Sequence, residues 1–264
     1  MHVLLARDAA KAVVFRRGPT RQVASYLWDR SSDTFSLGQW LIGRIYERRA
    51  DLSPDGHHLI YFARDARWHS ETGGSWTAVS RAPWLQAVTL WAKGDCWQGG
   101  GLFLDGQRYW LNGCHHGLLS DDSDLACVAD PPSGGFGAEC LSVYYPRLLR
   151  DGWALAEPIN RAGWIDRFEK PLAHGWTLVK LAHRSANPPP GRGCYWDEHL
   201  LLHAASETIL AYPNWEWAES DPADIIYTEQ GCLFRRPITI DSPGASVLLR
   251  DFYGDHFESR AAPY

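Results

Sequence analysis

Very little in this chain advertises chemistry. Its 264 residues hold a single methionine, and no CxxC pair occurs among the six cysteines. Nucleophile elbow, Walker A and HExxH patterns are missing, which removes the motifs that mark common hydrolase, phosphate-binding and zinc-protease sites. No apolar run approaches the length of about 18 residues that a membrane helix needs. The stretch from Met1 to Asp8 reaches charge too soon to form the apolar centre of a secretion signal, so a cytoplasmic location is expected. No extended basic run exists and the formal net charge is -5. Both argue against nonspecific binding to nucleic acid or anionic membrane, while a local basic patch stays open. Cysteines 96, 114, 127, 140, 194 and 232 form no short framework, and without an export signal they read as free buried thiols before they read as disulfides.

Tryptophan is in excess, at 14 residues. Large flat side chains suit the gaps between packed sheets, and they equally suit stacking on sugars or bases. With 45% hydrophobic and 22% charged residues the chain is globular in composition. Its length fits a single all-β domain over 1–264.

A tight polar turn followed at once by a short aromatic and aliphatic strand recurs along the chain. Its sharpest copy is Ser53-Pro54-Asp55-Gly56 leading into residues 59–63. Pro54 presets its φ, Asp55 can accept from backbone amides and Gly56 tolerates positive φ. The strand 59–63 is apolar throughout, which places it in the middle of a sheet with both faces covered. Strands are also expected at 3–6, 12–15, 23–28, 102–104, 109–111, 175–182 and 232–235, with ordered strand-like segments at 140–145 and 152–156 and a turn leading into a strand over 195–203. Trp28 and Phe35 flank a polar loop and should pair across a hairpin. Residues 40–49 read as one strand, and 84–91 as a strand for which Pro83 leaves a short helix as the alternative. Long loops are expected near 112–137 and 184–195, and the glycine runs 99–101 and 134–137 read as loops.

Acidic turns anchored at Asp55, Asp95, Asp151, Asp197 and Asp221 are spaced 40, 56, 46 and 24 residues apart. Most gaps are near the roughly 40–50 residues of a four-stranded propeller blade. The expected fold is therefore a single β-propeller of about five blades, or six, whose ring closes by pairing of N- and C-terminal strands. The segment from Leu52 to Tyr61 resembles the WD40-like SPDG repeats of TolB-like proteins and of prolyl oligopeptidase propellers. The wider chain, with its lead-in from Gly43 to Arg49, resembles uncharacterised bacterial proteins. The resemblance implies a propeller and a recognition role, and it carries over no catalytic residue, because the motif is a turn.

Three constellations are candidates for chemistry. Asp197, Glu198 and Glu219 lie near Trp196, Trp215 and Trp217, the carboxylate and aromatic types that a glycoside hydrolase or a lectin-like carbohydrate-binding propeller requires. The competing explanation has the acids capping turns and the tryptophans packing between blades. Cys114, His115 and His116, with nearby Asp121, Asp122 and Asp124, collect metal-ligand types in one loop, although adjacent residues of an extended chain point apart. Arg44, Tyr46 and Arg48 share one face of the expected strand, with Arg49 next in line; buried, such arginines must meet carboxylates, water or an anionic partner. No cofactor is expected. The favoured role is a noncatalytic interaction module, a scaffold or adaptor binding another protein, with these four residues as its first candidate contact.

Overall fold

The computed structural model describes residues 1–18, 21–132, 136–137, 139–156 and 164–264. The chain divides into two compact units, one of His2–Leu148 with His256–Tyr264, the other of Met1 with Leu149–Asp255. Both are built of mainly antiparallel sheets, and α1 (Leu141–Arg150) is the one α-helix among the described residues.

The larger unit opens with a four-stranded meander, β1 (His2–Leu5), β2 (Lys11–Arg17), β3 (Gln22–Asp29) and β4 (Thr34–Ile42). Trp28 and Phe35 are register partners across the β3–β4 hairpin, their rings stacked at 5.7 Å and 10°. A second sheet follows: β5 (Arg44–Ile45), β6 (Asp51–Leu52), β7 (His58–Arg64), β8 (Ser75–Arg81) and β9 (Ala87–Ala92). The turn before β7 forms as its residues dictate. Ser53 Oγ accepts the His57 and His58 amides at 3.1 and 2.8 Å and donates to Asp55 Oδ1 at 2.5 Å, while Gly56 takes φ +73°. In β7, Leu59, Tyr61 and Ala63 pack into a core with Leu4, Val13, Phe15 and Ala78, and Ile60 joins Val79, Phe103 and Tyr109 on the other side. Period-2 alternation thus buries both faces of this strand, as expected.

Hairpin β10 (Gly101–Phe103) and β11 (Arg108–Leu111) turns at Asp105, which accepts the Gln107 and Arg108 amides. The expected loop 112–137 is interrupted by two strands. β12 (Gly117–Asp121) returns to pair with β9, and β13 (Ala126–Val128) joins β11 in parallel. Backbone pairing there offsets a composition that favours turns. Of the second glycine run, Gly134 and Gly135 lie outside the described residues. Order resumes as α1, which buries Val143, Tyr144, Tyr145, Pro146 and Arg147.

In the smaller unit, β14 (Ala154–Leu155), β15 (Ile165–Pro171), β16 (Trp176–Arg184), β17 (Tyr195–His203) and β18 (Thr208–Tyr212) pair in chain order. So do β19 (Trp217–Asp221), β20 (Asp224–Glu229), β21 (Cys232–Pro237) and β22 (Val247–Asp251). A stacked ladder of Tyr212, Trp215, Tyr227 and Phe234, with successive centroids 4.0, 4.1 and 5.1 Å apart, runs through this unit.

Four expectations need correction. Pairing of the terminal strands is not formed among the described residues: β1 bonds β2 alone and β22 bonds β21 alone, so each is the edge strand of a sheet made from its own neighbours in sequence, where loop closure costs least. Residues 40–49 are not one strand, because pairing stops after Ile45 and Glu47–Arg49 form a 3-10 turn. Asp197 sits mid-strand in β17 and not in a turn, so it was no anchor for counting repeats. The six cysteines are free, yet Cys140 alone is fully buried, and Cys114, Cys127 and Cys194 are exposed.

Candidate functional site

The carboxylate set separates. In β17 Asp197 and Glu198 point to opposite faces. Glu198 is partly exposed and lies 3.4 Å from His183 Nε2 on β16. Asp197, 2% exposed, faces a buried polar cluster in which Lys180 Nζ is 3.9 Å from its carboxylate and 2.9 Å from His199 Nε2. Lys180 also lies over the Trp153 ring at 4.8 Å, and Trp153 Nε1 donates to Glu219 at 2.8 Å. Glu219 in turn accepts from Lys170 Nζ at 2.7 Å. The structure therefore gathers Asp197 and Glu219 around Trp153 and lysine cations, without Glu198. Each acid faces a cation, the arrangement by which buried charges are tolerated. Trp215 and Trp217 are 2% and 5% exposed and offer no face to a sugar, and Trp196 is covered by His183 at 4.6 Å.

Cys114, His115 and His116 also part company. Cys114 and His116 are exposed, whereas His115 turns inward. The Gly113 carbonyl can only accept, so His115 Nδ1–H donates to it at 3.2 Å. In the neutral ring Nε2 then accepts the Thr77 hydroxyl proton at 2.8 Å, while Thr77 Oγ1 accepts the Gly100 amide, also at 2.8 Å. Burial agrees with this and pulls the His115 pKa down to about 4. Among the described residues no group of three or more His, Cys, Asp or Glu side chains is placed to hold a metal ion.

The arginine set is brought closest to a site, with its members in different roles. Arg49, 1% exposed, is structural. Its guanidinium donates to the Cys96 carbonyl at 2.9 Å, the Gln98 carbonyl and Cys140 Sγ at 3.1 Å, and lies 3.3 Å from Glu139. Arg48 sits over the Tyr144 ring at 5.2 Å. Arg44 is exposed, with its guanidinium 4.6 Å from the Tyr46 ring. Tyr46 is thereby held between Arg44 and Arg49, the latter 4.7 Å from the same ring.

Sequence reasoning missed the residue opposite Arg44. Registers Arg44↔Arg64↔Ser75 and Trp76↔Ala92↔Gly117 show that one end of the sheet carries Arg44 together with loops 65–74, 93–100 and 112–116. Arg64 bonds Tyr46 and Cys96, contacts that hold its guanidinium above the ordinary arginine range, and it stacks on Trp68 at 5.2 Å. Loop 93–100 is tied down by Arg49, by Lys93 bonded to Asp95 at 2.7 Å, and by Asn112 Nδ2 bonded to the Gly99 carbonyl at 3.1 Å. Gly94 has φ +72°, and any Cβ there would strike the His116 ring, so the loops are in close contact. From this fixed end Trp68 and Trp97 stand 47% and 56% exposed. An aromatic inside a polar loop was the signal available in the sequence, and the excess of tryptophan elsewhere hid it.

No protein-family model matches this chain, and no curated protein matches it.

Proposed function

We propose that the chain is a noncatalytic recognition module that binds another protein through the loop end of the β5–β9 and β12 sheet. Its five sheets serve as the blades of a β-propeller, a reading supported by the chain-order pairing within the first, fourth and fifth of them. One observation carries the recognition role: Trp68 and Trp97 are exposed on adjoining loops at the sheet end that carries Arg44 and Arg64, and the Trp97 loop is held by hydrogen bonds from Arg49 and Asn112. Exposed tryptophan and arginine are the residue types that dominate binding energy in protein interfaces, and a rigid base spares the ordering entropy that mobile loops lose on binding. Charged clusters elsewhere are directed inward to their own counter-charges, which fits a stabilising task for them.

Affinity purification of the tagged chain from its native cells, with mass spectrometry against a tag-only control, tests the proposal. A specific protein recovered in proportion to the bait is the expected result. Turnover of a glycoside panel by the purified chain, abolished by Asp197→Asn or Glu219→Gln, would replace the proposal with an enzyme.

A further inference from the structure

Arg44 and Arg64 face each other across an antiparallel pair, so their side chains leave the same side of the sheet with Cβ atoms roughly 5 Å apart. Like charges so placed repel unless an anion lies between them. Among the described residues neither arginine has a carboxylate within ion-pair distance. Of the acids nearby, Asp65 faces Arg67 at 3.6 Å, Asp95 faces Lys93 at 2.7 Å and Glu139 faces Arg49 at 3.3 Å, while Glu71 is exposed on the 65–74 loop and in no ion pair with either arginine. Arg49 is matched by Glu139, so Arg44 and Arg64 are what give this end of the sheet its local positive charge in a chain of net charge -5.

Resting on the recognition reading above, we infer that Arg44 and Arg64 receive a carboxylate from an acidic peptide segment of the partner, with Trp68 and Trp97 taking the apolar residues that flank it. Arg44 lies against the Tyr46 ring and Arg64 against the Trp68 ring, and arginines held on aromatic faces are suited to meet a planar oxyanion with paired hydrogen bonds. The overall negative charge of the chain repels a long polyanion, which favours a short acidic stretch over nucleic acid. The exposed tryptophans favour a peptide over a bare ion, because they supply apolar area that an ion cannot use.

Selection of a displayed library of short random peptides against the full chain tests this. The enriched peptides are then titrated by fluorescence anisotropy as found, with Asp and Glu replaced by Asn and Gln, and with phosphoserine in their place. Titrations use wild type, Arg44→Glu, Arg64→Gln and Arg7→Glu, an exposed arginine on the β1–β2 hairpin. Acidic peptides should be enriched, and their neutral forms should bind about tenfold or more weakly. Arg44→Glu and Arg64→Gln should lose binding to the same degree, Arg7→Glu should not, and added salt should weaken the wild-type complex. Enrichment without acidic residues, equal binding of neutral forms, preference for phosphoserine over glutamate, or an equal loss in Arg7→Glu overturns the carboxylate assignment. Peptides without acids whose binding is lost in Trp97→Ser would sink this inference and leave the recognition reading standing. Binding indifferent to every substitution on this sheet end would sink both.

Discussion

Arg17 closes on Glu47 with two guanidinium nitrogens, at 2.5 and 2.6 Å, and so fastens the end of β2 to the 3-10 turn that carries Arg48 and Arg49. Burial pushes the Glu47 carboxyl up, but the charge and hydrogen bonds of Arg17 outweigh it, and the net displacement is below the ordinary 4.5. A carboxyl lowered by folding contributes stability that is present above its unfolded pKa and lost as pH falls through the folded value. Glu47→Gln should therefore cost about 1–3 kcal/mol at pH 7. That difference should vanish in acid, where wild-type Glu47 is itself neutral. Urea denaturation of both forms at neutral and acidic pH reads it directly, and a pH-independent difference would contradict the assigned ionic pair.

Removing the Ser53 hydroxyl should unpick the best-formed turn. Ser53→Ala leaves the His58 amide without its acceptor, while the His57 amide keeps Asp55 at 3.0 Å. A loss of about 1–3 kcal/mol follows for one buried backbone donor left unsatisfied. An unchanged denaturation midpoint would show that the turn is held by its proline and glycine alone.

The lysine at the centre of the smaller unit's polar cluster is predicted to be stabilising only in company. Lys180→Ala removes a buried cation facing Asp197 and should cost about 3–5 kcal/mol, the range for breaking one side of a buried pair. Lys180→Met with Asp197→Leu should cost less than either single change, because no charge is then left behind. Strict additivity in the double-mutant cycle would contradict the pairing.

His115 should remain neutral well below the usual histidine range and titrate near pH 4. Because the unfolded chain binds this proton near 6.5 and the folded chain does not, stability should rise with pH across about 4 to 6.5. Two-dimensional NMR of the imidazole should show Nδ1 protonated and Nε2 as acceptor at pH 6. An imidazolium at that pH would contradict the Thr77 relay.

Much of the strand framework was legible, because local pattern and burial coincide there. Leu59 to Ala63 alternate between two cores, and the SPDG residues set their own turn. Residues whose structure depends on distant partners were misread. Tyr46 to Arg49 have strand-like composition, yet Arg17 and Arg147 draw this segment into a 3-10 turn, with Arg147 donating to the Glu47 carbonyl at 3.3 Å. Residues 141–150 hold valine, two tyrosines and a proline, which obscure a helix stabilised by what it buries. The candidate site was half visible: Arg44 and Tyr46 were singled out, but Arg64, Trp68 and Trp97 join them only through strand register and loop packing.

The recognition account is tested most directly by quantitative capture of the chain's partner from native cells with wild type and with a Trp68→Ser, Trp97→Ser variant, after thermal denaturation has shown that both are equally folded. About half of each indole is in solvent, so among variants matched for stability the double change should lose at least about tenfold in captured partner. Equal capture by the two proteins would contradict recognition through this end of the sheet.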